Sequence, residues 1–313
     1  MQCQARGATI RVVVSLRVGS APISWGVCEI PGWGPQLPYE RVLDEMHGAG
    51  YEGTELGPWG FFPTDPAVLA EELRRRTLSM AGAFVPLSLK DPHGYAESES
   101  QVRQTAALLQ RLGAEHVLLA DAGDAARYEI AGRPDLTCIR GLASAEWPGY
   151  AARLERLAQV CRFDYGLTPC FHSHGGSYIE HPSEIRTLLD RTDPHLLRFC
   201  LDTGHVAFGG GDPLEIARTY SARIGYVHLK DVDMPRLRAL LADGRNYVTA
   251  AQQDVFVELG QGSLDLRALL DVLRASAYEG WIIVEQDRVV QEGTDTLGSA
   301  GRSRAFLRQH LGV

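Results

Sequence analysis

The chain has 313 residues, of which 45% are hydrophobic and 22% charged, a composition typical of a globular protein with a large core. Its formal net charge of −8 argues against a nucleic-acid partner, because a surface that binds phosphates broadly is basic. Six cysteines without a CxxC pair, and no apolar run of membrane length, predict a cytoplasmic protein with reduced thiols and no membrane partner.

The first residues contain the segment TIRVVVSLRV, which is too short and too interrupted by arginine for a membrane span or a signal sequence. We expect an N-terminal extension over residues 1–16. A single domain is predicted over residues 17–313, since α/β barrels of about 250 residues fold as one domain.

Short apolar runs then alternate with longer amphipathic stretches along the chain. The runs predicted as strands cover residues 20–26, 50–56, 79–87, 114–121, 167–174, 197–205, 224–231 and 279–287. The main stretches predicted as helices cover residues 39–50, 66–77, 100–114, 150–164, 182–193, 212–223 and 265–277. Eight strands separated by helices predict an α/β protein with a (β/α)8 TIM barrel. The first strand lacks a GxGxxG turn, which argues against an open dinucleotide-binding sheet.

Imidazoles and carboxylates follow the last four predicted strands, at the barrel end where active sites lie. Unpaired buried charges are costly, so four such strand ends in succession favour a shared ligand over chance. A mixed nitrogen and oxygen set suits Mn²⁺, Co²⁺, Fe²⁺ or Zn²⁺ better than Ca²⁺, and no cysteine joins it. A polar network without metal is the alternative. The predicted metal ligands are His172, Asp202, His228 and Glu285.

Other polar residues at the same rim are candidates for catalysis. Glu55 ends the second predicted strand and is either an acid, a base or a hydroxyl acceptor, or else an ion-pair partner of an arginine. Lys230 follows His228 by two residues, and a nearby cation lowers the pKa of an amine, so we expect a general base or acid there. The alternative is an ion pair between Lys230 and Asp231 or a carboxylate on the rim.

Aromatic loops and an insertion provide candidates for substrate binding. Trp25 and Trp59 follow the first two predicted strands, where indoles either cover the face of a sugar ring or form a lid core. Residues 232–264 are longer than a normal strand–helix loop and include Glu258, so this segment is expected to hang over the site.

The motifs GYEGTELG, FHSHGG, LDTGHVAFGGGDP, YVHLKDV, LGQGSLD and GWIIVEQD resemble the xylose-isomerase-like TIM barrels over residues 17–310. This superfamily contains sugar isomerases, epimerases and endonuclease IV. Within it, GTELG, HxHGG and the DTGH run are similar to the inosose dehydratase branch. The resemblance implies the same metal ligands as the strand ends, with His172 at a position where the epimerases carry glutamate. It also implies that His174 and His205 bind substrate or support the site.

The resemblance implies a divalent-metal-dependent lyase that dehydrates a keto-cyclitol such as 2-keto-myo-inositol through a metal-stabilised enediolate. The predicted cofactor is Mn²⁺ or Co²⁺, with Zn²⁺ or Fe²⁺ as alternatives, and a homodimer is possible. Glu285, Lys230 and a metal-bound hydroxide remain alternatives for the base, while His174, Glu55 or His205 protonates the departing hydroxyl or holds the ring. A sugar isomerase or epimerase is the alternative function, although His172 weakens a symmetrical two-carboxylate mechanism. A nucleic-acid enzyme and a metal-free sugar-binding barrel are the remaining rivals.

Overall fold

A computed structural model describes residues 16–30, 32–137 and 140–312 of the chain. The predicted extension over residues 1–16 lies outside this part except for Leu16, which opens the first strand. Nine parallel strands form one sheet, and a separate antiparallel pair, β9 and β10, lies in the segment after β8. The strands are β1 Leu16–Ser20, β2 Gly53–Glu55, β3 Ser79–Gly82, β4 Phe84–Leu87, β5 His116–Asp121, β6 Thr168–His172, β7 Arg198–Asp202, β8 Ile224–Leu229, β9 Asp231–Val232, β10 Phe256–Val257 and β11 Gly280–Val284.

The large sheet is a nearly closed barrel. Its strand order is β3-β2-β1-β11-β8-β7-β6-β5-β4, so β3 and β4 stand at its two ends. These two strands are consecutive in the chain and separated by Ala83 alone, and β3 pairs with β2 while β4 pairs with β5. They are therefore two halves of one barrel strand, and the predicted single-domain (β/α)8 TIM barrel is confirmed.

Helices follow the strands and cover them. None in the described ranges is long and apolar enough to cross a membrane. The helices are α1 Tyr39–Ala49, α2 Pro66–Arg75, α3 Tyr95–Arg111, α4 Ala125–Ile130, α5 Pro134–Thr137, α6 Trp147–Gln159, α7 Pro182–Arg191, α8 Thr203–Phe208, α9 Pro213–Tyr220, α10 Met234–Ala242, α11 Tyr247–Gln252, α12 Leu266–Ala275 and α13 Thr296–Leu311.

Several helix starts follow directly from the sequence. Asp65 precedes Pro66 at the start of α2, and its carboxylate accepts hydrogen bonds from Ala67 N at 2.8 Å and Val68 N at 3.0 Å. This satisfies two of the backbone donors that a helix N-terminus leaves free, while the fixed φ of proline suits the first helical position. Asp212 and Pro213 start α9 in the same way.

The predicted position of the first strand is wrong. Residues 20–26 are predicted as a strand, but β1 ends at Ser20 and Pro22–Trp25 form a single 3₁₀ turn. The turn closes at Gly26, whose φ of +75° is a conformation that glycine adopts without strain. The apolar pattern does not predict β1 because Arg17 interrupts it; in the structure this guanidinium lies over the ring of Trp281.

The barrel interior is filled by side chains, and at the start of β5 it includes the buried His116. Its ring lies 5.2 Å from that of Tyr226, and Nδ1 has no hydrogen-bond partner among the described residues. Burial lowers the pKa of His116 to about 4, so the folded protein keeps this imidazole neutral at neutral pH.

We expect His116 to make stability fall as the pH drops. The unfolded chain binds this proton near pH 6.5 and the folded chain only near pH 4, so up to about 3 kcal/mol of unfolding free energy is lost across that interval. The His116→Phe variant keeps a ring against Tyr226 and should no longer lose this stability in acid. Urea unfolding between pH 7.5 and pH 4.5 measures the difference. The exposed His93, changed to Phe, is the control. Equal pH slopes in the His116 variant and the parent protein would contradict this account.

Candidate active site

A cavity of about 500 Å³ opens at the carboxyl ends of the barrel strands. Asp202 lies beneath its floor, fully buried, next to His172. Most of the residues predicted from the sequence therefore come together around one space. Those that line the cavity are Glu55, Trp59, His172, His174, His205, His228, Lys230 and Glu285.

The four predicted metal ligands form a continuous cluster. His172 and Asp202 are the last residues of β6 and β7, His228 lies near the end of β8, and Glu285 directly follows β11. Asp202 Oδ2 lies 3.4 Å from both His172 Nε2 and His228 Nδ1, and His228 Nδ1 lies 3.1 Å from Glu285 Oε2. Metal–ligand bonds of about 2.0–2.2 Å place neighbouring ligand atoms about 3.0–3.5 Å apart, so these separations fit a single ion.

The protonation of His228 supports the same conclusion. Its Nε2 lies 2.7 Å from Glu55 Oε1, so this nitrogen carries the hydrogen and donates it to the carboxylate. Nδ1 then faces the oxygens of Asp202 and Glu285. Within the described ranges, His228 Nδ1 and Asp202 Oδ2 are both buried without a hydrogen-bond partner. A cation at this point satisfies both atoms.

Buried carboxylates set the protonation of the cluster. Burial opposes a charge on His228, yet the neighbouring carboxylates of Glu285 and Glu55 raise the pKa of His228 well above its usual range. Although burial also disfavours ionised carboxylates, Lys230 lowers the pKa of Asp202 strongly, and His228 with Lys230 lowers that of Glu285 to about 2. The surroundings therefore favour positive charge between these groups, which is what a metal supplies.

Lys230 is buried among three carboxylates. Its Nζ lies 2.8 Å from Asp287 Oδ2, 3.1 Å from Glu285 Oε2 and 3.4 Å from Asp202 Oδ2. Burial lowers the pKa of an amine, but these carboxylates outweigh it and raise the pKa of Lys230. The lowered pKa predicted from the sequence depends on a bound cation and stays a prediction. Asp231 does not take part in the pairing, because its oxygens accept backbone hydrogen bonds from Val232, Gly260, Gly262 and Leu264.

Two residues of the site were missed in the sequence. Asp287 binds Lys230 and also accepts a very short hydrogen bond from the hydroxyl of Tyr247, which belongs to α11. Burial raises the pKa of Asp287 despite the lysine. The available signal was its spacing, since Asp287 follows Glu285 by two residues. Tyr247 had no signal, because the insertion that carries it is not tied to the rim by any sequence pattern.

Two neutral histidines stand beside Lys230. His205 accepts a hydrogen bond from Gly175 N at its Nδ1, and its Nε2 lies 3.2 Å from Lys230 Nζ. His174 Nδ1 lies 2.9 Å from the carbonyl oxygen of Gly175, which only accepts, so Nδ1 carries the hydrogen and Nε2 is an acceptor. Burial, and then nearby positive charge, lowers the pKa of His174 to about 3 and that of His205 well below its usual range.

Two predicted substrate-binding residues are not brought to the cavity. Trp25 is fully buried, and its indole Nε1 donates to Glu45 Oε2 at 2.8 Å. Glu258 pairs with Arg302 of α13, with contacts of 2.7 and 2.8 Å, and does not line the cavity. By contrast Trp59 lines the cavity and is 44% exposed, as expected of a residue at the entrance.

A thiol lies closer to the cluster than the sequence suggested. The ligand atoms of His172, Cys200 and His228 lie within 4.8 Å of one another, as do those of Glu55, His228 and Glu285. Burial raises the pKa of Cys200 to about 11, so its sulfur is a neutral thiol at neutral pH. Imidazoles and carboxylates therefore form the main donor set, which is the set of a mixed nitrogen and oxygen site for a divalent transition metal.

A parallel (β/α)8 barrel with histidines and carboxylates converging at its carboxyl rim defines a TIM-barrel enzyme. Comparison with known families identifies which kind. The chain belongs to the xylose isomerase-like TIM barrel family, whose match extends over residues 43–310.

Two curated relatives and one solved structure illustrate the similarity. The inosose dehydratase of Geobacillus kaustophilus (strain HTA426) is 32% identical over 278 residues, which cover 89% of each chain. The rhizopine catabolism protein MocC of Rhizobium meliloti is 34% identical over 281 residues, covering 88% of this chain and 83% of the relative. The crystal structure of the IolI protein with a binding zinc atom superposes with a TM-score of 0.69 at 14% identity, over 95% of this chain and 100% of that one.

Proposed function

We propose that the protein is a divalent-metal-dependent hydro-lyase that removes water from a keto-cyclitol such as 2-keto-myo-inositol, a step of inositol catabolism. The name of the Geobacillus relative supports the substrate class. The observation that carries the proposal is the cluster of His172, Asp202, His228 and Glu285, in which the buried Asp202 Oδ2 and His228 Nδ1 face each other without hydrogen bonds among the described residues.

We assign the metal to these four residues, with Mn²⁺ or Co²⁺ as the preferred ion and Zn²⁺ or Fe²⁺ as alternatives. When bound, a divalent cation acts as a Lewis acid that polarises a ketone and stabilises negative charge on its oxygen. His228 is oriented for this role by Glu55, whose carboxylate holds the hydrogen of Nε2.

Two residues of the chain are suited to the proton transfers of a dehydration. Glu55 accepts from His228 through one oxygen, and its second oxygen is assigned to take the proton from the carbon next to the ketone. The charged ammonium of Lys230 is assigned to protonate the hydroxyl that leaves from the following carbon. Thus one C–H and one C–O bond break, a C=C bond forms, and water departs with the proton of Lys230.

The neutral histidines and Trp59 are assigned to substrate binding. His174 offers the lone pair of Nε2 as an acceptor for a ring hydroxyl, while His205, whose Nδ1 accepts from Gly175 N, lies with its Nε2 3.2 Å from Lys230 Nζ. Because the pKa of His174 is about 3, this acceptor persists over the whole range of pH in which the protein is expected to work.

The proposed function is tested by adding 2-keto-myo-inositol to chelator-treated protein and following the ultraviolet absorbance of the conjugated diketone product. We expect no reaction without metal and a restored reaction with Mn²⁺ or Co²⁺. No absorbance change with Mn²⁺, Co²⁺, Fe²⁺ or Zn²⁺ would rule out this substrate. Metal content per chain, measured on the same samples, shows whether the ion binds at all.

A sugar isomerase or epimerase is the second candidate, because Glu55 supplies a carboxylate to the cavity besides Glu285. A panel of ketoses in D₂O separates the two functions. An isomerase or epimerase introduces deuterium next to the carbonyl and returns a sugar of unchanged elemental composition, whereas the lyase releases water.

A Glu55→Gln variant is expected to lose about 10²-fold to 10⁴-fold in kcat, the usual contribution of a general base. The amide oxygen still accepts from His228, so the geometry of the imidazole is retained while the proton acceptor is lost. Steady-state kinetics measures the change, with the exposed Glu52→Gln as a matched control. A rate within twofold of the parent protein would assign the base elsewhere.

The oligomeric state and the cellular location stay predictions from the sequence. We propose a homodimer in the cytoplasm. Light scattering coupled to gel filtration gives the mass in solution, and a value of 34.3 kDa, that of one chain, would contradict the dimer.

A further inference from the structure

The cavity is divided into a polar and an apolar sector. Its histidines and its lysine follow β6, β7 and β8, and Glu285 and Asp287 follow β11, so these groups come from strands that are neighbours in the barrel. Other ionisable groups line the cavity elsewhere, including Glu29, Glu55, Asp121 and Tyr128. The loops after β1 and β2, together with β4, form the opposite wall, and these strands are also neighbours because β3 and β4 are one barrel strand. The apolar side chains of this wall include Ile23, Ile30, Trp33, Leu56, Trp59 and Phe84.

The apolar sector offers few groups that can bind a hydroxyl. The indole Nε1 of Trp33 donates to the carbonyl of Arg288 at 3.0 Å, so its only polar atom is occupied. Phe84 turns its ring toward His172 and His174, at centroid distances of 5.5 and 5.6 Å, and so lies where the two sectors meet.

Of the polar side chains of this half, Thr105 and Tyr128 also line the cavity, on α3 and α4, and the others are either occupied or solvent-exposed. Asp121 accepts hydrogen bonds from Gly123 N at 2.8 Å and from Tyr178 N and the Tyr150 hydroxyl at 3.0 Å. Glu29, Gln101 and Gln104 line the opening but are solvent-exposed. The interior of the apolar wall therefore has no evident partner for a buried hydroxyl among Asp121, Glu29, Gln101 and Gln104.

An unsubstituted keto-cyclitol matches only half of this cavity. Each ring carbon other than the ketone carries a hydroxyl, and hydroxyls placed against an apolar wall lose hydrogen bonds to water without replacement. A space of about 500 Å³ also falls in the range of cavities that hold drug-sized ligands, which are larger than one six-membered ring.

Resting on the proposed function, we infer that the preferred substrate is a keto-cyclitol or keto-sugar that carries an apolar ether substituent. The ketone and its neighbouring hydroxyls lie against the polar sector, and the substituent lies against Ile30, Trp33 and Trp59. Burial of the substituent then adds affinity that the ring alone does not gain.

The experiment compares 2-keto-myo-inositol with its mono-O-benzyl ethers, as binding by calorimetry and as rate of dehydration, on Mn²⁺-loaded protein. We expect at least one ether to bind about tenfold more tightly than the parent ketone, in line with the value of a few apolar atoms in a fitted pocket. If the protein dehydrates the parent ketone but every ether binds more weakly than this ketone, the inference is overturned and the proposed function stands. If neither ketone nor ether binds, both are overturned.

Two variants test the location of the substituent. Trp59→Ala and Ile30→Ala are expected to bring the affinity ratio of ether to parent ketone down to about one. Phe163→Ala removes an exposed aromatic residue that does not line the cavity, and it should preserve the tenfold ratio. A ratio that survives both cavity variants would place the substituent outside this wall.

Discussion

An Asp202→Asn variant is expected to lose its bound metal and about 10³-fold of its activity. The amide oxygen still accepts the 2.8 Å hydrogen bond from His205 N, so the start of α8 is preserved. What disappears is the negative charge that lies 3.4 Å from His172, His228 and Lys230. Loss of a preorganised charge at the reacting centre typically lowers kcat by 10²–10³, and loss of the ion adds to it.

The matched control is Asp212→Asn. Asp212 also caps a helix, α9, by accepting from Leu214 N at 2.9 Å, but it lies at the surface and not in the cavity. Metal content by mass spectrometry and kcat should both stay at the parent level in this variant. If Asp202→Asn retained one ion per chain, the ion would have to be held by other residues, and the proposed assignment would fail.

The sequence located the site because a parallel barrel has a simple rule. The carboxyl ends of its strands meet at one rim, so a polar residue that directly follows an apolar run lies there whatever the distance along the chain. This rule predicts Glu55 on the same rim as His228, and in the structure the two side chains are in contact although 173 residues separate them. It also places His172, Asp202 and Glu285 in contact with their neighbours without any knowledge of the loops.

This rule does not predict where the side chains of irregular segments lie. Trp25 lies in a 3₁₀ turn, and nothing in its sequence shows that its indole turns away from the cavity toward Glu45. Glu258 directly follows β10 and is held by Arg302, a partner 44 residues away on α13. Tyr247, by contrast, is not predicted at the site, but α11 of the insertion places its hydroxyl within hydrogen-bond distance of Asp287. Such contacts depend on tertiary packing, which periodicity does not encode.

The roles of charged residues were also harder to predict than their positions. From sequence, Lys230 is predicted to have its pKa lowered by a cation bound at His228, and an ion pair with a carboxylate is only the alternative. In the structure its nearest charges are the carboxylates of Asp287, Glu285 and Asp202, which raise the pKa. Because burial and three opposite charges act in opposite directions, only the distances show which effect is larger.

A Lys230→Met variant is expected to be about 3–5 kcal/mol less stable at neutral pH and inactive. Methionine fills a similar volume, but the carboxylates of Asp202, Glu285 and Asp287 then remain buried without their ammonium, and an uncompensated buried charge has a penalty of this size. Lys230 lowers the pKa of Asp202 and Glu285, and stability from a lowered carboxyl pKa is present above the unfolded value and lost in acid. The difference between variant and parent should therefore be large above pH 6 and shrink below pH 4.

The chain contains one other lysine, which provides the control. Lys90 donates to the Tyr178 hydroxyl at 3.0 Å and lies 3.8 Å from Glu146, but its side chain is 39% exposed, so Lys90→Met should change stability by less than about 1 kcal/mol. Urea unfolding of chelator-treated protein measures both variants. Added Mn²⁺ should restore more stability to the Lys230 variant than it gives to the parent, because the ion then supplies the missing positive charge. If Lys230→Met were as stable as Lys90→Met without metal, the three carboxyl groups would have to be largely protonated in the folded protein, and the negative charge on which the metal assignment rests would not exist.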